Sequence, residues 1–199
     1  NGMVTVGGEE MHKSLGNSLT LRQAFERWSP LAVRFFIASS HYRSSLDFTA
    51  EAMDAAARGL ERLLGAVRSL RQRLAAIPEG PAPTHEPGWV AEHRERFRDA
   101  MDDDFNTSAA VAVLFDLARA SNALLADAQP PNRETLVALD TAFRDLGGAV
   151  LGIVPEELPG AEMGALANQL VELVLAARQE MRAQKQYAAA DRLRDGLTA

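Results

Sequence analysis

Residues 49–74 read T-A-E-A-M-D-A-A-A-R-G-L-E-R-L-L-G-A-V-R-S-L-R-Q-R-L. Met53, Ala57, Leu60, Leu64, Val67, Leu70 and Leu74 recur three or four residues apart, which is the period of one helix face. Arg58, Arg62, Arg68, Arg71 and Arg73 fill much of the remainder, and Thr49 stands where an N-cap belongs. A helix this long with one apolar stripe needs other helices to cover it. The stretch therefore predicts a helical bundle.

Upstream, M-V-T-V (3–6) between glycines reads as a short strand or hairpin arm. T-L-R-Q-A-F-E-R-W (20–28) predicts a short amphipathic helix with Leu21, Phe25 and Trp28 on one side and Thr20 or Ser18 as cap. Pro30 suits the first turn of a second helix running to about Tyr42, apolar almost all round and so expected to be buried. Downstream, I-P-E-G-P-A-P-T-H-E-P-G (77–88) holds four of the nine prolines and reads as a linker within the bundle. A helix from Trp89 to Met101 follows, broken by D-D-D-F-N-T. Next comes a helix capped by Asn106 or Thr107, with Val111, Leu114, Leu117, Ser121 and Leu124 on one face. Further helices are expected over about 134–151 and, as a pair, over 162–197. The fold class is thus mainly α: an antiparallel helical bundle at 49–199, after a small mixed segment at 1–48.

Composition narrows the function classes. With 21 Lys+Arg against 27 Asp+Glu the formal charge is −6, which is no general nucleic-acid footprint. The absence of cysteine rules out disulfides and thiolate metal sites and is compatible with a reducing compartment. No apolar run approaches the ~20 residues of a membrane span, and no membrane partner is expected. The chain opens on Asn rather than Met, in mid-element, and reads as a fragment.

One loop stands out chemically. In E-M-H-K-S-L-G-N (10–17) a lysine and a serine follow two glycines, so a point charge, a hydroxyl and backbone N–H groups can surround a polyphosphate. It is not a complete phosphate loop of the G-x-x-x-x-G-K-[ST] type: Gly7 has the first glycine's spacing but His12 holds the second. The acids of D-D-D-F (102–105) are adjacent in sequence and do not converge, so they read as structural rather than as a hard-cation site. His41, beside Tyr42 and Arg43, sits at a helix end, in a structural or substrate-facing role. His12, His85 and His93 have no second ligand at metal spacing, so no metal ligand is assigned within the chain. Arg178, Arg182 and Lys185 share one helix face that can track phosphates, diluted by Glu180, Asp191 and Asp195.

Four ordered stretches together resemble the cysteine–tRNA ligases (cysteinyl-tRNA synthetases, class I). G-G-E-E-M-H-K-S-L-G-N (7–17) stands where that family has its Lys-Met-Ser-Lys-Ser signature followed by Leu-Gly-Asn. V-R-F-F-I-A-S-S-H-Y-R-S-S-L-D-F (33–48), M-D-D-D-F-N-T-S-A-A-V-A-V-L-F-D-L-A-R (101–119) and A-R-Q-E-M-R-A-Q-K-Q-Y-A-A-A-D-R-L-R-D (177–195) are similar to its later segments. The resemblance implies that 1–48 is the end of a class I nucleotide-binding catalytic domain with stem-contact helices, and 49–199 a tRNA-binding helical domain. It implies ATP with Mg2+, cysteine and tRNA(Cys) as partners, a cytoplasmic setting, and a zinc ion whose ligands lie upstream of this chain. Lys13 takes the place of the second signature lysine and is the implied catalytic and ATP-binding residue, with Met11, His12 and Ser14 at the other matched positions. Glu10 and His12 depart from the pattern, replacing its first lysine and first serine. Arg178, Arg182 and Lys185 are the implied tRNA contacts. Without the upstream ATP motif and zinc ligands, the fragment alone is expected to be inactive. Two alternatives remain at this point: a non-catalytic tRNA- or protein-binding module derived from the ligase, and the related ligase joining cysteine to an amino sugar in thiol biosynthesis.

Overall fold

The computed structural model describes residues 2–11, 20–78, 80, 85–127, 131–159, 173–174 and 181. Residues 1–156 form one compact unit and 157–199 a second. The elements below belong to the first, which is mainly helical with a small sheet.

Strand β1 (Val4–Val6) pairs antiparallel with β2 (Glu9–Glu10) and parallel with β3 (Leu46–Asp47), giving the order β2-β1-β3. The turn between β1 and β2 is Gly7–Gly8, with φ of +62° and +82°. Two successive positive φ values are what a two-residue hairpin needs, and glycine adopts them freely.

Side chains start most of the helices, as the sequence predicts. Thr20 and Gln23 form a reciprocal capping box on α1 (Leu21–Phe25). Ser29 caps α2 (Pro30–Ala38), whose first residue is the proline. Thr49 caps α3 (Ala50–Ala75), Asn106 caps α5 (Thr107–Ala126) and Asn132 caps α6 (Arg133–Ala142). Helix α4 (Gly88–Asp102) starts after Pro87 with no side-chain cap.

Helix α3 buries Met53, Leu60, Leu63, Leu64, Ala66, Val67 and Leu70, a wider stripe than the three-and-four spacing alone marks. It packs against α2, α5 and α6, while α4 packs on α5. Phe35 of α2 meets Phe115 of α5 edge to face at 6.2 Å, and Phe36 meets Phe48 at 5.4 Å. By length and composition α5 is long and apolar enough to cross a membrane, contrary to the reading that no apolar run approaches such a length. Its Ala110, Val111, Val113, Leu114, Leu117, Ala118 and Ser121 are buried in the fold.

Three further expectations change. Helix α1 has five residues and ends at Phe25; Leu21 and Phe25 lie exposed and only Ala24 is buried. Beyond Phe25 the chain goes on in tighter turns, the Arg27 and Trp28 N–H groups both reaching the Ala24 carbonyl, until Ser29 turns extended before Pro30. Helix α2 is buried on one side only, with Arg34 and Ile37 exposed. The helix expected over 134–151 is α-helical to Ala142 and a π-helix from Phe143 to Val150. There the chain folds back: Ile153 and Val154 both donate to the Gly147 carbonyl, at 2.8 and 3.0 Å. Val154 lies so close that a Cβ on Gly147 would stand 2.6 Å from its Cγ2.

Arg71, read from the sequence as one of the outer arginines, is mostly buried. Its Nε donates to Asp140 Oδ1 at 2.7 Å, and its Nη1 to the Pro155 and Glu156 carbonyls at 3.2 and 2.7 Å. Arg144 holds the other oxygen of Asp140 at 2.8 Å. Arg71 on α3 therefore ties α6 to the segment after the π-helix.

Candidate functional site

The glycine hairpin delivers Met11, half-buried at the end of β2, to the start of the signature loop. His12, Lys13 and Ser14 lie outside the described residues. So do Arg178, Arg182 and Lys185. Glu10 is exposed on β2 opposite Thr5.

What holds the hairpin is Asp47, a residue the sequence reading did not single out. One carboxylate oxygen accepts from Thr5 Oγ1 at 2.8 Å and from the Gly8 backbone N–H at 3.0 Å. The Gly8 N–H first, and then the Thr5 hydroxyl, hold the Asp47 carboxyl below the ordinary carboxylate pKa. Parallel pairing with β1 sets Asp47 beside Thr5, 42 residues away in sequence. The signal that could have found it is the L-D-F placement on an edge strand, next to a glycine turn with free N–H groups.

A second cluster joins two stretches that the sequence treats separately. Tyr42 Oη donates to Asp104 Oδ1 at 2.7 Å. Arg43 Nε lies 2.7 Å from Asp104 Oδ2, its Nη2 donates to Oδ1 at 3.1 Å, and its Nε also donates to Tyr42 Oη at 2.9 Å. His41 stacks on Tyr42 with ring centroids 5.0 Å apart, and its Nε2 is 3.9 Å from Asp104 Oδ2. The Tyr42 hydroxyl, followed by Arg43, lowers the Asp104 pKa; the Arg43 pKa is raised by the Tyr42 hydroxyl and then by Asp104. His41 thus has a structural place. The acids of D-D-D-F close α4 and enter the turn, and Asn106 alone caps α5. Among the described residues no group of three or more His, Cys, Asp or Glu can hold a metal ion.

Asp104 and Phe105 have φ of +56° and +52°. This left-handed turn lets the Phe105 and Asn106 N–H groups reach back to the Met101 and Ala100 carbonyls, both at 3.0 Å. For residues other than glycine, such a conformation costs about 1–3 kcal/mol each. Aspartate tolerates it better than most; phenylalanine, 67% exposed here, does not.

Between α3 and α5 runs an open groove of about 900 Å³. Arg62, Arg68 and Ser69 line one wall, and Asp116, Arg119 and Asn122 the other. Asp116 pairs with Arg119 and with Arg96, so the groove carries both signs of charge.

Two family models match the chain in order. The model described as the tRNA synthetases class I (C) catalytic domain covers residues 1–58, and the DALR domain model covers residues 96–155. The cysteine--tRNA ligase of Deinococcus radiodurans is 42% identical over 201 residues, covering 99% of this chain and 40% of that protein. The cysteine--tRNA ligase of Hahella chejuensis is 44% identical over 202 residues, with 98% and 41% covered. That of Heliobacterium modesticaldum is 41% identical over 210 residues, with 99% and 43% covered. The chain thus spans about two fifths of the length of the curated relatives it matches.

Proposed function

We propose that this chain, homologous over nearly its whole length to cysteine–tRNA ligases, is the part of such a ligase that runs from the ATP-loop hairpin through the helical domain. The observation that carries the reading is the order of the two family matches, a class I catalytic segment and then a DALR segment, in a chain aligned almost end to end. The reaction is then ATP-dependent activation of cysteine to the adenylate, with release of pyrophosphate, followed by transfer of the cysteinyl group to the 3′ end of tRNA(Cys), in the cytoplasm. ATP acts with Mg2+, and zinc belongs to residues outside this chain.

In this reading Lys13, with Met11, His12 and Ser14, faces the ATP phosphates. A cation at that place stabilises charge that grows on the phosphates in the transition state of activation. The hairpin supports the assignment, because Asp47 pins Gly8 and the strand that leads into Met11. Residues 1–48 complete the catalytic domain, and residues 49–199 form the tRNA-facing domain, with Arg178, Arg182 and Lys185 as backbone contacts.

Cysteine-dependent ATP–pyrophosphate exchange tests it. The full-length ligase containing this chain is expected to be active, and Lys13→Ala to lower kcat roughly 100-fold. The isolated chain is expected to show no exchange. Absence of exchange in the full-length protein would instead favour a non-catalytic module, to which the departures at Glu10 and His12 would then belong.

A further inference from the structure

The turn between α4 and α5 has a local cost that its own contacts do not explain. Asp104 and Phe105 are both left-handed, and neither is glycine. The network they support, Asp104 with Tyr42 and Arg43, lies on the surface, with the Arg43 and Asp104 side chains 67% and 43% exposed. Exposed ion pairs add little to stability, so the network does not offset two residues in a disfavoured conformation.

Geometry is what the network does supply. Thr107 Oγ1 adds a bond to the Ser40 carbonyl at 3.3 Å, so both sides of the turn grip the chain leaving α2. That chain runs on through β3. The Tyr42 carbonyl accepts from the Gly2 N–H at 2.6 Å, and Leu46 and Phe48 bond to the Met3 and Thr5 carbonyls, both at 2.8 Å. Asp47 then fixes Thr5 and Gly8. A path of hydrogen bonds thus runs from the α4–α5 turn to the glycine hairpin through segment 41–48, which turns at 41–44, where the Ser44 N–H meets the His41 carbonyl, and then enters β3.

We propose that Asp104 is a positioning residue of the ligase: through Tyr42 and Arg43 it holds segment 41–48 and the hairpin in fixed register with the helical bundle. This rests on the ligase reading above. The step it serves is transfer, in which the adenylate made beside the hairpin must meet an RNA end placed by the helices. Of the elements in this chain, activation draws on the hairpin and not on the bundle.

The test uses the full-length ligase containing this chain, with Asp104→Gly, Asp104→Asn, Arg43→Ala and the double variant Arg43→Ala/Asp104→Gly. Measured are cysteine-dependent ATP–pyrophosphate exchange, single-turnover transfer from preformed adenylate to tRNA, and the melting temperature. Glycine accepts φ of +56° freely, so Asp104→Gly is expected to melt no lower than the parent. Its transfer rate is expected to fall roughly tenfold, with exchange changed by less than about twofold. Asp104→Asn, which keeps an acceptor for Tyr42 but not the charge, is expected to fall between. Arg43→Ala, which leaves the bond from Tyr42 to Asp104, should likewise fall between, and the double variant should be no worse than Asp104→Gly, which already removes both contacts. Transfer within about twofold of the parent in Asp104→Gly would overturn the proposal, as would equal losses in exchange and transfer. A parent enzyme without cysteine-dependent exchange would overturn the ligase reading itself, and this inference with it.

Discussion

Asp140→Ala is expected to destabilise the bundle by about 3 kcal/mol. The side chain is 10% exposed and accepts from two guanidinium groups, at 2.7 Å from Arg71 and 2.8 Å from Arg144. Removing one member of a buried pair costs about 3–5 kcal/mol, because the remaining charge stays buried without its counter-ion. Two features place this case at the lower end. Arg144 is 46% exposed and recovers its hydration, so its share is small. Arg71 is 17% exposed but keeps the Pro155 and Glu156 carbonyls as acceptors. For a chain of this length the loss corresponds to a fall in Tm of roughly 6–12 °C. Urea denaturation with an unchanged slope gives the free energy directly. A companion variant sharpens the reasoning: Arg71→Met with Asp140→Leu removes both charges together and is expected to stay within about 1 kcal/mol of the parent. A loss below about 1 kcal/mol in Asp140→Ala, or an equal loss in the double variant, would refute the account of Asp140 as a buried electrostatic tie.

Two further outcomes follow from the geometry. Gly147→Ala forces a methyl against buried Val154 and should cost about 1–3 kcal/mol, whereas Gly65→Ala, whose added Cβ meets nothing within 4 Å, should stabilise α3 by about 0.5–1 kcal/mol; urea midpoints read both. Asp47 and Asp104 have lowered pKa values, so their contribution is complete above the ordinary carboxylate value of about 3.9 and is lost as pH falls through the lowered values. Carboxyl chemical shifts followed from pH 6 to 2 should show both titrating below the ordinary carboxylate value, and midpoints at or above about 3.9 would contradict the contacts described.

The helices were legible because their causes are local. Thr20, Thr49 and Asn106 cap the helices they were expected to cap, and the apolar face of α3 follows its spacing. The end of α1 is harder to place, because residues 26–28 keep turn bonds to Gln23 and Ala24 and the spacing of Leu21, Phe25 and Trp28 does not distinguish such turns from helix. The π-helix was invisible for a different reason: its extra residue per turn answers to Val154 packing on Gly147, a contact made only after the chain has turned back. Asp47 and Asp104 escaped for a third. Their partners lie 39 to 62 residues away, and no periodicity links a carboxylate to a backbone N–H or a tyrosine across that distance. Arg71 reads like the other arginines off the apolar stripe because nothing within α3 announces that Asp140 will meet it.

The π-helix also acts as a length gauge. Phe143–Val150 is wound as a π-helix, with the Leu151 N–H on the Leu146 carbonyl five residues back, so losing one residue would return the turn to ordinary α-helical winding. Residues 151–156 would swing by about 100°, the angle of a single α-helical residue. Ile153 and Val154 would turn off Gly147, and the Pro155 and Glu156 carbonyls would leave Arg71. Natural variation in chain length is therefore expected to collect in the proline-rich stretch at 77–88 and to be absent from 143–150. A count of residues, rather than their chemistry, is what this segment transmits to the rest of the bundle.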